Sequence, residues 1–110
     1  MTIQTSTLGK AHVIKLEGRL DAESSQDFTS AWEKAASGGN MNVILDLTGL
    51  KYISSAGLGS IVRMAKKLDS LGGSLRLCGL SGLVKEVFIV TNLLPLFLVF
   101  DTQAAACQSI

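Results

Sequence analysis

At 110 residues the chain is long enough for one domain with its own apolar core, held without metal or disulfide staples. Hydrophobic residues at 47% against 17% charged exclude a disordered chain, and a formal net charge of +1 supplies no field that would gather nucleic acid or an anionic membrane surface. The start "MTIQTSTLGK" lacks the basic-then-apolar pattern of a secretory leader and the run "LLPLFLVF" is too short for a bilayer, so we expect one domain over residues 1–110, cytoplasmic and without membrane insertion.

In chain order, "TIQTST" is rich in β-branched residues and reads as an edge strand, which "LGK" turns back. "AHVIKLEG" places His12, Ile14 and Leu16 on one face and Val13 on the other, so the two strands form a hairpin. "GRLDAESSQDFTSAWEKAAS" carries Phe28, Ala31, Trp32 and Ala35 at helical spacing. Ser24 is expected to cap that helix with Asp27 three residues on, and "GGN" to stop it. The unbroken Val43-Ile44-Leu45 of "MNVILDL" suits a central strand covered on both faces. A second helix follows, with Leu58, Ile61, Val62, Ala65 and Leu68 turned inward and Gly59, Ser60, Arg63, Lys66 and Lys67 off that stripe; "LGG" ends it. "SLRLCGL" is a strand, Ser81 caps a helix over "GLVKEVFIVTN", and "PLFLVF" is a last strand. "DTQAAACQSI" closes as a helix capped by Asp101 or Thr102. Cys78 and Cys107 read as small buried hydrophobes, not as a disulfide framework. The order β-β-α-β-α-β-α-β-α predicts an α/β fold: a mixed, mostly parallel sheet with four helices, whose sites gather at the carboxyl ends of its strands.

Ser54 and Ser55 stand at one of those ends, between the central strand and the second helix. A serine nucleophile needs a base, yet the one histidine, His12, lies near the chain start and the G-x-S-x-G elbow is absent. A small serine hydrolase therefore fits little of the pattern. "SSAGLGS" lacks the lysine of a phosphate loop, and no grouping of His, Cys and carboxylates suggests a metal, so no cofactor is expected. Either serine could cap the helix by accepting a bond from a free N–H of its first turn. A phosphate on an accessible serine here would face the positive end of the helix dipole, and would alter the local charge by about −1.5 to −2.

The stretch "VILDLTGLKYISSAGLGSIV" resembles the signature of STAS domains, in particular the bacterial anti-sigma factor antagonists. The likeness extends to "LEGRLDAES" before the first helix and to the ending "SLRLCGLSGLVKEVFIVTNLLPLFLVFDTQAAA". The resemblance implies the STAS fold and a partner-switching role in sigma-factor control. In that scheme the unphosphorylated protein binds an anti-sigma factor that is a serine kinase, phosphorylation releases it, and a serine phosphatase resets the switch. Carried over by position, Ser55 is the phosphoacceptor, with Ser54 the alternative. Asp21 and Asp46 match acidic positions near the loop. Ala56, Gly57 and Leu58 complete the loop and begin the helix, whose outer face, with Arg63, Lys66 and Lys67, joins the partner surface. The family's aspartate before the acceptor is Ser54 here, which removes a negative charge and adds a hydroxyl. A monomer is expected, a weak dimer being the other arrangement left open. A STAS subunit of another regulatory or transport complex is the alternative function.

Overall fold

Threonine and serine fill β1 (Thr2–Leu8), where only Ile3 is drawn toward the core, and this polar strand lies antiparallel at the edge of β2 (Ala11–Leu20). Gly9, at φ +58°, makes the tight reversal between them. The computed structural model describes residues 1–37 and 42–110, so the expected "GGN" stop lies outside the described residues. After β2 the chain continues through α1 (Ser25–Ser37), β3 (Asn42–Ile53), α2 (Ser55–Ser70), β4 (Ser74–Cys78), α3 (Gly82–Val90), β5 (Leu98–Phe100) and α4 (Gln103–Gln108).

The strands lie in chain order, β1-β2-β3-β4-β5, with every pair after the hairpin parallel. Among the described residues this is the mixed, mostly parallel α/β fold with four α-helices that the pattern predicted. All three crossovers step the same way, and right-handed connections therefore lay α1, α2 and α3 on one face of the sheet. The main core gathers there, with Phe28 and Trp32 of α1, Ile61, Met64 and Leu68 of α2, and Val84 and Phe88 of α3 packed on Ile14, Leu45, Leu47 and Leu77. The opposite face carries a smaller cluster, Ala11, Val13, Ile44 and Cys78, covered by Ala106 of α4. The buried Arg76 donates from its guanidinium to Ser74, to the hydroxyl of Ser109 and to the Ser109 carbonyl, which ties down the end of α4 with a cation at a helix C-terminus.

Several local expectations need correction. The cap of α1 forms one turn earlier than expected: Asp21 Oδ1 accepts the Ser24 N–H at 3.0 Å and Ser24 Oγ accepts the Asp21 N–H at 2.9 Å. Asp21 and Ser24 thus make the reciprocal box themselves, and Asp27 plays no part in it. Ser60 is fully buried and not outward, its hydroxyl 3.1 Å from Thr29 Oγ1 where α1 crosses α2. Met64 takes the core position, while Val62 and Ala65 are half-buried. Strand β5 is shorter than "PLFLVF", because Pro95 opens a one-turn 3₁₀ segment over Leu94–Leu96. Ser81 occupies the cap position of α3 without a side-chain cap bond, and Thr102 rather than Asp101 caps α4. Cys78 is buried as expected, but Cys107 is half-exposed.

Candidate functional site

The carboxyl ends of β2 and β3 are paired as far as Leu20 and Ile53, and the chain leaves β3 directly into α2. Three hydrogen bonds of Ser54 fix that exit. The Ser54 N–H donates to the Leu20 carbonyl at 2.9 Å, and the Ser54 carbonyl accepts the Leu58 N–H at 2.8 Å. Ser54 itself is extended, and its hydroxyl accepts the Gly57 N–H at 3.1 Å. Gly57 is packed so closely that a Cβ there would lie 2.5 Å from the Leu20 carbonyl oxygen. Only glycine permits this approach, and it stitches the start of α2 to the end of β2.

The two serines consequently do different things. Ser54 is half-buried and its oxygen is engaged as the cap. Ser55 is the first residue of α2, exposed, and its hydroxyl makes no hydrogen bond among the described residues. Ala56 beside it is also exposed, so the loop presents one small, unencumbered surface around that hydroxyl. The first turn of α2 holds no acidic side chain, which leaves the positive end of the helix unneutralised.

The other residues singled out from sequence divide into three groups. Arg63, Lys66 and Lys67 are exposed on α2, and the Arg63 guanidinium lies back along the helix, 3.4 Å from where a Cβ on Gly59 would be. Gly57 and Leu58 face inward, Leu58 being only 6% exposed, so they shape the loop from beneath. The two aspartates separate. Asp21 is at the rim, next in the chain to Leu20, and the N–H and hydroxyl of Ser24 hold its carboxyl below the usual carboxylate range. Asp46 lies buried mid-strand under α4, away from the loop. Burial alone would raise its pKa, but bonds from the Thr48 hydroxyl, the Gln103 amide and the Thr48 N–H outweigh that and hold it below 3.8.

Two neighbours of the site were not legible beforehand. Arg19 stacks 4.0 Å from the centroid of the Tyr52 ring, a cation–π pair across the ends of β2 and β3. Register shifts between Lys15 and Glu17 and between Gly18 and Arg19 create that pairing, and no local sequence signal marks where they fall. The Thr29–Ser60 contact joins α1 to α2 beneath the loop. Its trace in the sequence is a hydroxyl at a position that periodicity places off the inward stripe of α2.

Chemically, the loop offers one exposed hydroxyl, that of Ser55. His12 pairs with Val43 at the amino end of β3, about 30 Å along the strand from Ile53 at ~3.3 Å per residue. No hydrogen bond links Ser55 to a base among the described residues.

Comparison with known proteins places the chain in a family. The family described as STAS domain matches residues 2–106. BtrV of Bordetella bronchiseptica, named as an anti-sigma factor antagonist, is 35% identical over 94 residues, spanning 86% of this chain and 81% of BtrV. The chain belongs to the STAS domain family, of the anti-sigma factor antagonist type. The anti-sigma-B factor antagonist of Staphylococcus aureus is a further relative of this STAS domain, 26% identical over 93 residues that span 84% of this chain and 86% of that protein. In fold it superposes on an anti-sigma factor antagonist from Thermotoga maritima with a TM-score of 0.91, at 23% identity over 98% of this chain and 93% of that one. The phosphorylated form of SpoIIAA, a Bacillus cell fate determinant, gives 0.76, at 21% identity over 99% of this chain and 100% of its own. Among the described residues, no helix is long and apolar enough to cross a membrane.

Proposed function

We propose that this STAS domain is a phosphorylation-controlled partner switch. Unphosphorylated, it binds an anti-sigma factor that is itself a serine kinase, through the Ser55 loop and the exposed face of α2 with Arg63, Lys66 and Lys67. Transfer of a phosphoryl group to Ser55 ends that binding, and a serine phosphatase restores it. The domain is a binding module and substrate, not an enzyme, and works in the cytoplasm. The observation that carries this reading is the division between the two serines: Ser54 is committed to the helix cap, whereas Ser55 is exposed and unbonded. The relatives named as anti-sigma factor antagonists support it, as does the existence of SpoIIAA in a phosphorylated form.

The energetics suit a switch. The phosphate faces the dipole of α2, so the cost inside the domain is small. A partner packed against the same loop must desolvate a doubly charged group, and a loss of about 3 kcal/mol lowers affinity roughly a hundredfold. The test is to incubate the domain with its kinase, map the phosphate by mass spectrometry and titrate binding by calorimetry. Ser55→Ala is expected to bind and resist modification, and Ser55→Asp to bind weakly. A phosphate that maps elsewhere, or phosphorylated protein that binds as tightly as before, overturns the proposal.

A further inference from the structure

Half of the exposed large hydrophobic side chains among the described residues fall in one segment, 87–100: Ile89, Val90, Leu96, Leu98 and Val99. Val90 and Leu96 are 71% and 69% exposed. Apolar side chains scattered singly over a surface need no explanation, but these fall in one stretch of chain that runs from the end of α3 into β5. The segment 87–100 contains no charged residue. Beside it lies a groove of about 430 Å³ between the 96–98 stretch, Leu75 of β4 and Val62 and Ala65 of α2, with Lys66 and Asp69 on its rim.

Strand β5 is the open edge of the sheet here, since among the described residues it pairs with β4 alone. An uncovered edge presents unpaired N–H and C=O groups to any strand that approaches. Pairing with β4 fixes its faces: Leu98 and Phe100 stand level with Arg76 and Cys78, and Val99 with Leu77. We propose that this edge is a two-fold interface at which a second copy of the same chain adds its β5 antiparallel.

A two-fold axis through Val99 sets Val99 against its own copy and Leu98 opposite Phe100 of the second copy. On such an axis a residue meets itself, so any charge there would repel, and this segment has none to place. Away from the axis a self-complementary patch needs both signs of charge, which Lys66 and Asp69 supply together on one rim. A membrane surface would instead favour lysine and arginine around the apolar patch, whereas 87–100 holds none and the charge of Lys66 on the rim is offset by Asp69. The opposite edge, β1, has mainly threonine, serine and glutamine to offer, and gains little from burial. The proposed contact also leaves the serine loop free: Ser55 and Asp69 are about 21 Å apart along the axis of α2 at ~1.5 Å per residue. The inference does not rest on phosphorylation of Ser55, and Lys66 is the residue that this contact shares with the proposed partner face of α2.

Sedimentation equilibrium of the intact chain tests it. The wild type is expected to dimerise, and Val99→Lys and Val99→Asp each to weaken the dimer about a hundredfold while far-UV circular dichroism stays unchanged. An equimolar mixture of the two variants should recover a heterodimer, because opposite charges then meet at the axis. Leu96→Glu, at a position already in solvent, should also weaken the dimer and guards against a Val99 variant that fails to fold. A wild type that remains monomeric at about 1 mM, variants as dimeric as wild type, or a mixture that stays monomeric would each overturn the proposal. A monomer that floats with lipid vesicles would overturn it too, and give the face to a membrane.

Discussion

Replacing Ser54 by alanine separates what the two serines do. The Ser54 hydroxyl accepts the Gly57 N–H at 3.1 Å, and Gly57 is buried against Leu20, so water cannot replace the lost partner freely. A helix cap contributes about 1 kcal/mol, and an N–H left unmet in a buried position moves the cost toward ~2 kcal/mol. Helix α2 carries Ile61, Met64 and Leu68 into the main core, so fraying at its start is felt by the whole fold. With a urea dependence of about 1.5 kcal/mol per molar, the unfolding midpoint of Ser54→Ala should fall by roughly 1 M. Ser55→Ala removes a hydroxyl that bonds to nothing among the described residues, and should stay within about 0.5 kcal/mol of wild type. Urea titrations followed by circular dichroism give both numbers. Intact mass after kinase treatment then gives the complementary pattern, with phosphate on Ser54→Ala and none on Ser55→Ala. Equal midpoints for Ser54→Ala and wild type would refute the assignment of the cap, and with it the reason for expecting modification at Ser55.

Other consequences can be measured in the same way. Gly57→Ala places a Cβ 2.5 Å from the Leu20 carbonyl oxygen and should cost about 2 kcal/mol, read as a lower melting temperature; an unchanged melt would mean the loop relaxes freely. Asp46, held below its ordinary 3.8 in the fold, contributes stability that is fully present above that value and is lost as the pH falls through the lower folded pKa. The stability gap between wild type and Asp46→Ala should therefore narrow in acid, and a gap independent of pH would contradict the bonding described. The Cys78 thiol is pushed up to about 12 by burial and by the Asp46 charge beside it, so iodoacetamide at pH 8 should label Cys107 first and reach Cys78 only after unfolding. Reversing Lys66 and Lys67 to glutamate should weaken anti-sigma factor binding about tenfold with melting unchanged; unaltered affinity removes both from the partner surface.

The strand and helix order was legible because periodicity marks each element by what it buries. Phe28 and Trp32 at helical spacing, and the unbroken Val43-Ile44-Leu45, leave little choice of architecture. What failed was local, and at Ser60 and Asp46 the deciding partner came from another element. Ser60 looks outward on an isolated helix and becomes interior only because α1 crosses there with Thr29. Asp46 sits in a motif that draws attention to the loop, yet Gln103, 57 residues away in the chain, claims it. The cap of α1 shifted by a turn because a carboxylate at residue 21 and a hydroxyl at residue 24 satisfy each other's backbone, a choice two competing serines and two aspartates leave undecided from sequence. At the double serine, the chemistry allowed either residue as cap, and the geometry of Gly57 against Leu20 made the selection.

The order of the strands bears on how the chain assembles. Because each strand lies beside the one before it, no later strand has to be threaded between two that are already paired. The sheet can grow from one edge as the polypeptide emerges from the ribosome, each new unit docking on a finished surface, and loop-closure costs stay low at every step. The exception is the face under α4. Val13, Ile44 and Cys78 are laid down early and stay uncovered until Ala106 arrives, so a nascent chain halted before α4 exposes an apolar patch, and such a chain is the form most prone to aggregate or to recruit a chaperone.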